Sequence, residues 1–307
     1  MSPLRGITFK ILSVCVFVAM ASIIKATSDS IPPGQAVFFR SLFAIPVIGV
    51  WLALRGELGT GLSTKNPMGH VWRGLVGTSA MGLGFAGLGL LPLPEVTAIG
   101  YAAPILVVIF AAMFLGEEVR LFRLSMVALG MAGVLVVLSP RLQLDPTGAD
   151  TRETLGAVLV LLSAVCAALA QVFVRKMVQT ETVSAIVFYF SVTATLLSLL
   201  TLPWGWSMPS PQVFAMLVCA GLLGGVGQIL LTTSYRYADA SLIAPFEYAS
   251  MLLAIIVGYT VFGEVPGATV LAGAAMVVTA GILIIWRERQ LGIERARQRK
   301  AGPSQPQ

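Results

Sequence analysis

A chain of 307 residues that is 57% hydrophobic and only 11% charged has less than half the charge of a soluble domain, which holds about 25%. Its apolar surface exceeds what a soluble core can bury, so the lipid bilayer is its solvent. The net charge of +6 does not point to nucleic acid, because the basic residues flank apolar segments instead of forming a patch interleaved with aromatics.

A bilayer span needs roughly 20 mostly apolar residues. Ten segments qualify: 7–26, 35–54, 71–91, 96–115, 121–139, 154–174, 183–203, 213–234, 240–262 and 267–286. Each is expected to be a helix, because a lone spanning strand leaves its backbone unpaired in lipid. The first opens like a secretory signal but lacks a small-residue cleavage site, and nine segments follow it, so it is read as a retained span. It closes on Lys25, an expected interface anchor. The second opens on Phe38-Phe39-Arg40. The polar stretch 55–70 leads to His70, the single histidine, expected at the surface beside Trp72 and Arg73. The third is dense in glycine, including Gly74, Gly77 and Gly84, which lets helices pack closely where no hydrophobic force drives them together.

Pro92, Pro94 and Glu95 precede the fourth segment, with Glu95 expected at an outer surface or vestibule. Tyr101 and Pro104 lie inside it, and it ends in Leu115-Gly116-Glu117. After the fifth, residues 140–153 form a polar joint. The sixth carries Gln171 and ends at Arg175. The eighth carries Gly221, Gly224 and Gln228. The ninth contains Pro245, Glu247 and Tyr248 and ends in Phe262-Gly263-Glu264. After Trp286 comes a basic tail, 288–307. Cys15, Cys166 and Cys219 all lie in apolar segments without metal-like spacing, and are read as small lipid- or core-facing residues.

The chain repeats itself. Gly116-Glu117 recurs as Gly263-Glu264, 147 residues on, and at that offset Tyr101 falls on Tyr248 and Gly74…Gly77 on Gly221…Gly224. Lys25 and Arg175 align at an offset of 150. Each half, 5–139 and 154–287, holds five segments. Two odd repeats in series enter the membrane from opposite sides, the inverted-repeat plan of secondary transporters. The expected fold is therefore an all-α polytopic membrane protein of ten helices in two inverted five-helix repeats. With a cytoplasmic N-terminus, sixteen of the twenty Lys and Arg fall inside, leaving Lys25, Arg40, Arg141 and Arg152 outside. Both termini and the tail are then cytoplasmic, and the 140–153 linker is periplasmic.

Prolines inside segments four and nine free backbone carbonyls and bend the helices, and paired interrupted segments point to a transport site. Glu247 lies about 10 Å below the interface. An ionisable group at that depth marks a function by default, as substrate ligand or proton carrier. The alternative is a structural ion pair or a hydrogen-bonded neutral acid, and any basic partner must sit on another helix. Gln171 and Gln228 are expected to be buried amides that could bond a substrate or another helix. Tyr101 and Tyr248 could face a planar substrate or simply pack. Arg40 could serve the site or snorkel to the interface. Glu117 and Glu264 read as structural. No phosphate loop, metal cluster or nucleophile triad is visible, which argues against ATP-driven transport, against a resident cofactor and against a membrane enzyme.

Ten segments in two repeats, Phe-Phe-Arg opening the second, and apolar runs closing in Gly-Glu resemble the drug/metabolite transporter superfamily, EamA type, over residues 5–287. Gly69-His70-Val71-Trp72-Arg73-Gly74-Leu75, Leu91-Pro92-Leu93-Pro94-Glu95 and Pro32-Pro33-Gly34-Gln35 are similar to its bacterial riboflavin-transporter branch. The resemblance implies a bacterial inner-membrane carrier with a central cavity, working by alternating access, with riboflavin uptake as its first substrate. An exporter of amino acids or related metabolites is the alternative within transport. A non-transporting receptor or lipid-modifying enzyme is the alternative outside it. The implied partners are a small-molecule substrate and the lipid bilayer, and oligomerisation is compatible with this plan.

Overall fold

The computed structural model describes residues 3–115, 121–139, 151–178, 180–237, 246–247 and 249–300, and these are helical with short connections and no strand. The helices are α1 (Pro3–Thr27), α2 (Pro33–Leu42), α3 (Ala44–Leu54), α4 (Pro67–Leu88), α5 (Leu93–Gly100) and α6 (Ala102–Leu115). They continue with α7 (Leu121–Leu138), α8 (Thr151–Met177), α9 (Val183–Leu199), α10 (Pro211–Tyr237), α11 (Ala249–Phe262) and α12 (Ala268–Lys300). Four stretches are long and apolar enough to cross a membrane: Leu4–Thr27, Pro33–Leu54, Thr151–Val174 and Pro211–Ser234. Shorter apolar helices account for most of the remaining expected segments.

Local chemistry sets the ends. At α4 the side chain of Asn66 accepts from the Gly69 N–H, with Pro67 in the first turn. At α9 Thr182 caps the Ala185 N–H in the same way. The second and fourth segments are each broken once, at Phe43 and at Tyr101. In each case a proline follows three residues later, Pro46 and Pro104. Its ring clashes with the carbonyl four residues back, so the helix cannot run through. The expected interruption of segment four is therefore present. Helix α6 begins at Ala102 and α11 at Ala249, both 14 residues long and 147 apart.

Several boundaries differ from expectation. Segment four starts at Leu93, because Pro94 suits a first turn. Segment seven stops at Leu199, and a 3₁₀ turn, Leu202–Trp204, follows. In segment nine only Phe246–Glu247 and α11 are described; Pro245 and Tyr248 lie outside the described residues, as do Gly116, Glu117 and Arg141. Helix α12 continues into the basic tail as far as Lys300.

Helix α1 packs chiefly on α10, α4 on α8, and α7 on α12. Exchanging the halves maps these pairs onto one another. The α7–α12 contact runs through Gly133 and Gly273, where an added Cβ would come within 2.8 and 2.5 Å of the facing glycine carbonyl. The outside is apolar: Met113, Leu196, Leu252 and Tyr259 are exposed, while Lys10, Arg40, Arg73 and Glu95 are buried. A soluble protein distributes these groups the other way. Two surface expectations are overturned here. Glu95 is buried, because it lies in the first turn of α5 facing the bundle. His70 is buried too, because α4 turns that face toward α9.

Candidate functional site

The bundle encloses a cavity of about 630 Å³, within the range of small-molecule sites. Helices of both halves line it: α1, α2 and α4 from the first, α8, α9 and α10 from the second, with Glu247 at its mouth. The mouth lies at the end of the bundle where α1 starts and α8 ends. Glu247, its side chain 46% exposed, and Val178 mark it.

Glu247 forms an ion pair and hydrogen bond with Lys10 of α1, which is only 2% exposed. The partner does sit on another helix, but pairing does not by itself separate a site role from a structural one. Arg40 and Arg73 are buried at the cavity wall. Arg40 thus does not snorkel. Both approach the ring of Phe190, with the Arg73 guanidinium carbon 3.5 Å and that of Arg40 5.6 Å from its centroid. Such stacking contributes about 0.5–2 kcal/mol each. A charged side chain deep in the bilayer costs about 2.5–3.5 kcal/mol even on the lenient insertion scale. The ring therefore does not fully compensate the two burials.

Glycine makes room for both cations. A Cβ at Gly77 would lie 2.4 Å from Arg73 Nη1, and one at Gly224 2.8 Å from Arg40 Nε. These glycines are equivalent under the repeat, so the matching positions noted in the sequence have a specific use. Arg40 and Phe190 are themselves equivalent at the offset of 150 that relates Lys25 to Arg175, and Ser41 then falls on Ser191.

Gln171 and Gln228 also line the cavity, Gln171 exposed to it and Gln228 half-buried. Tyr101 is not brought to it. That side chain is 4% exposed in the apolar core, with its hydroxyl 2.7 Å from Ser250 Oγ. Tyr248 lies outside the described residues. Sequence reasoning missed Lys10, Arg73 and Phe190. Near helix ends in sequence, Lys10 and Arg73 look like interface cations, yet each sits about two turns inside its helix. The available signal was Arg73 four residues before Gly77, which places both on one helix face. No group of three or more potential metal ligands occurs among the described residues.

The helix ends away from that mouth are cross-linked. Lys25 pairs with Glu264 at 2.9 Å and donates to the Leu88 and Leu91 carbonyls at 3.2 and 2.7 Å. Glu264 also accepts the Leu93 N–H at 2.8 Å. This explains the second copy of the Gly-Glu signature: Gly263, at φ 66, ends α11 in a left-handed conformation, and Glu264 reaches across to α1 and α5. Lys25 is thus a cross-link rather than a lone anchor. Nearby, Gln35 exchanges two hydrogen bonds with the Ser207 backbone. Toward the mouth end, Glu181 accepts from the Lys65 and Asn66 N–H groups and lies 3.4 Å from His70 Nε2. Burial pushes its carboxyl up, but hydrogen bonds from Lys65, Thr64, His70 and Asn66 outweigh that and hold it below the ordinary glutamate value.

The EamA-like transporter family matches residues 4–139 and 154–286. A pseudopaline exporter of Pseudomonas aeruginosa is 28% identical over 91% of this chain and 95% of its own length. An S-adenosylmethionine uptake transporter of Rickettsia prowazekii is 26% identical over 94% of each chain. A riboflavin transporter of Rhizobium johnstonii is 28% identical over 93% of this chain and 89% of its own. A crystal structure superposes with a TM-score of 0.66 at 18% identity, covering 93% of this chain and 98% of that one, which shows a shared fold alone.

Proposed function

The chain belongs to the EamA-like transporter family and is a multi-pass bacterial membrane protein, and from that premise we propose that it carries a small metabolite across the inner membrane by alternating access. The observation that supports this reading is the cavity of about 630 Å³ lined by helices of both halves; on this reading the Lys25–Glu264 pair, beyond its far end, is the closed gate. On the charge count, ten spans run as two inverted repeats with both termini cytoplasmic, and the open mouth faces the cytoplasm. Glu247, Gln171, Gln228 and Arg40 then serve the substrate or its coupling, joined by Lys10, Arg73 and Phe190. Tyr101 supports the break between α5 and α6, and Tyr248 matches it in sequence at the offset of 147.

Riboflavin uptake is the first substrate to test, supported by the branch resemblance and by a flat ring at Phe190 with amides on the far wall. Exporter and importer relatives match at similar identity, so identity does not rank the substrates or the direction. The exporter reading gains from Arg40 and Arg73, which suit a metabolite bearing a carboxylate. Expression in a riboflavin auxotroph lacking an importer should restore growth at low riboflavin. Failure to grow, with the protein confirmed in the membrane, would remove riboflavin and leave the carrier reading to flux assays with other solutes.

A further inference from the structure

Arg40 and Arg73 are 4% and 7% exposed, and Arg40 Nε, Arg73 Nε and Arg73 Nη1 have no hydrogen-bond partner. Buried polar atoms in native proteins are satisfied in the great majority of cases, so three orphaned donors in two neighbouring side chains need an explanation. Stacking on Phe190 does not supply it. A ring meets the flat face of a guanidinium, while the five N–H donors point outward in its plane.

The local charge tells the same way. Of the ionisable groups lining the cavity, Lys10 is matched by Glu247, and among the described residues Arg40 and Arg73 have no carboxylate partner. Two positive charges are left over in a site of low dielectric, where they repel each other and attract an anion strongly. Their distances to one shared ring, 5.6 and 3.5 Å, hold the two guanidinium carbons no more than about 9 Å apart. A single oxyanion can lie between forks at that spacing, and guanidinium suits carboxylate and phosphate geometry. Gly77 and Gly224 keep the two guanidinium groups free of steric pressure from the helices behind them.

We propose that the transported solute bears an oxyanion, carboxylate or phosphate, which Arg40 and Arg73 bind together beside the Phe190 ring. This rests on the carrier reading and names its substrate class. Neutral solutes, riboflavin among them, then rank below their acidic counterparts.

The test uses the full chain in phosphatidylcholine nanodiscs and two matched probe pairs: riboflavin with riboflavin 5′-phosphate, and succinamide with succinate. The acidic member of at least one pair should bind about 10- to 100-fold more tightly than its neutral partner. Which pair responds separates phosphate from carboxylate. R40Q and R73Q should each erase most of that preference. Equal binding within both pairs, no binding of any of the four, or a preference that survives both substitutions overturns the inference. So does stabilisation by phosphatidylglycerol nanodiscs without response to soluble anions, which would assign the arginines to a lipid headgroup. A second readout needs no ligand. R73M should raise the melting temperature of the empty protein by about 2–4 °C, since it removes an uncompensated charge. A fall instead would make Arg73 a structural stacking partner. In proteoliposomes the two readings come apart. Anion binding without flux of any solute sinks the carrier but keeps this site. Flux of a neutral solute untouched by R40Q and R73Q does the reverse.

Discussion

The two halves share a skeleton and differ in charge. Both lysine–glutamate ion pairs that join described residues of the two halves put the base in the first and the acid in the second, Lys10 with Glu247 and Lys25 with Glu264, and the His70–Glu181 contact at 3.4 Å likewise sets a first-half side chain against a second-half acid. The cavity follows the same rule. Lys10, Arg40 and Arg73 come from the first half; Phe190, Gln171, Gln228 and Glu247 come from the second. Backbone features, by contrast, recur in both. Helices α6 and α11 have the same length and offset, and Gly77 and Gly224 both clear space for a guanidinium. Duplication thus supplies packing, and divergence supplies a polar site that a symmetric dimer of one half could not make. Arg40 and Phe190 show the step at one position, because equivalent places in the repeat have become cation and ring.

The largest expected effect breaks this division at the mouth. E247Q should lower transport by about tenfold or more, with the protein still present in the membrane, because it removes the acid from a charged pair. The reversed pair K10E/E247K should keep the protein in the membrane without restoring transport, since the acid would then stand on the wrong half. Full activity of E247Q in a flux assay would move Glu247 to a structural role.

A smaller effect is expected at the closed end. Loss of a hydrogen-bonded pair such as Lys25–Glu264 costs about 1–2 kcal/mol, a 5- to 30-fold shift between the two openings. K25A and E264Q should therefore favour opening at that end, read as faster maleimide labelling of a cysteine placed beside Leu91. The repeat offers Arg175 and Glu117 as the sequence counterparts of this pair. R175A and E117Q should shift labelling the opposite way, and a shift in the same direction would break the symmetry of the two gates.

The smallest effect concerns Glu181, which ties the 61–66 loop to α9. E181Q should lower the melting temperature by about 2–4 °C. The folded carboxyl titrates below its unfolded value, so its contribution is present above the ordinary glutamate pKa and lost as pH falls through the lower, folded one. A melting temperature of E181Q that still tracked the parent chain across that acid range would remove Glu181 as the source.

Much of the frame was legible because lipid imposes it residue by residue. Every expected segment contains helix, and the break in segment four sits where Pro104 demands it. The second copy of the Gly-Glu signature takes the cross-linking place expected of it, since Gly263 needs its left-handed turn whatever surrounds it. Glu247 stood out because an acid inside an apolar run is costly anywhere. Lys10, Arg73, His70 and Glu95 did not, because each lies within two turns of a helix end, where a snorkelling side chain and a buried one share the same sequence context.

The amino-acid sequence by itself thus determined the membrane class, the helical segments and the duplication, because backbone hydrogen bonding in lipid and proline sterics act over a few residues. Only the tertiary structure decided which polar groups meet: that Lys10 answers Glu247, that Lys25 locks Glu264, that two arginines share one ring, and that Tyr101 turns away from the cavity. These pairings depend on which helix faces pack together. Contacts such as Lys10 with Glu247 are separated by 237 residues, a distance over which no local pattern carries information.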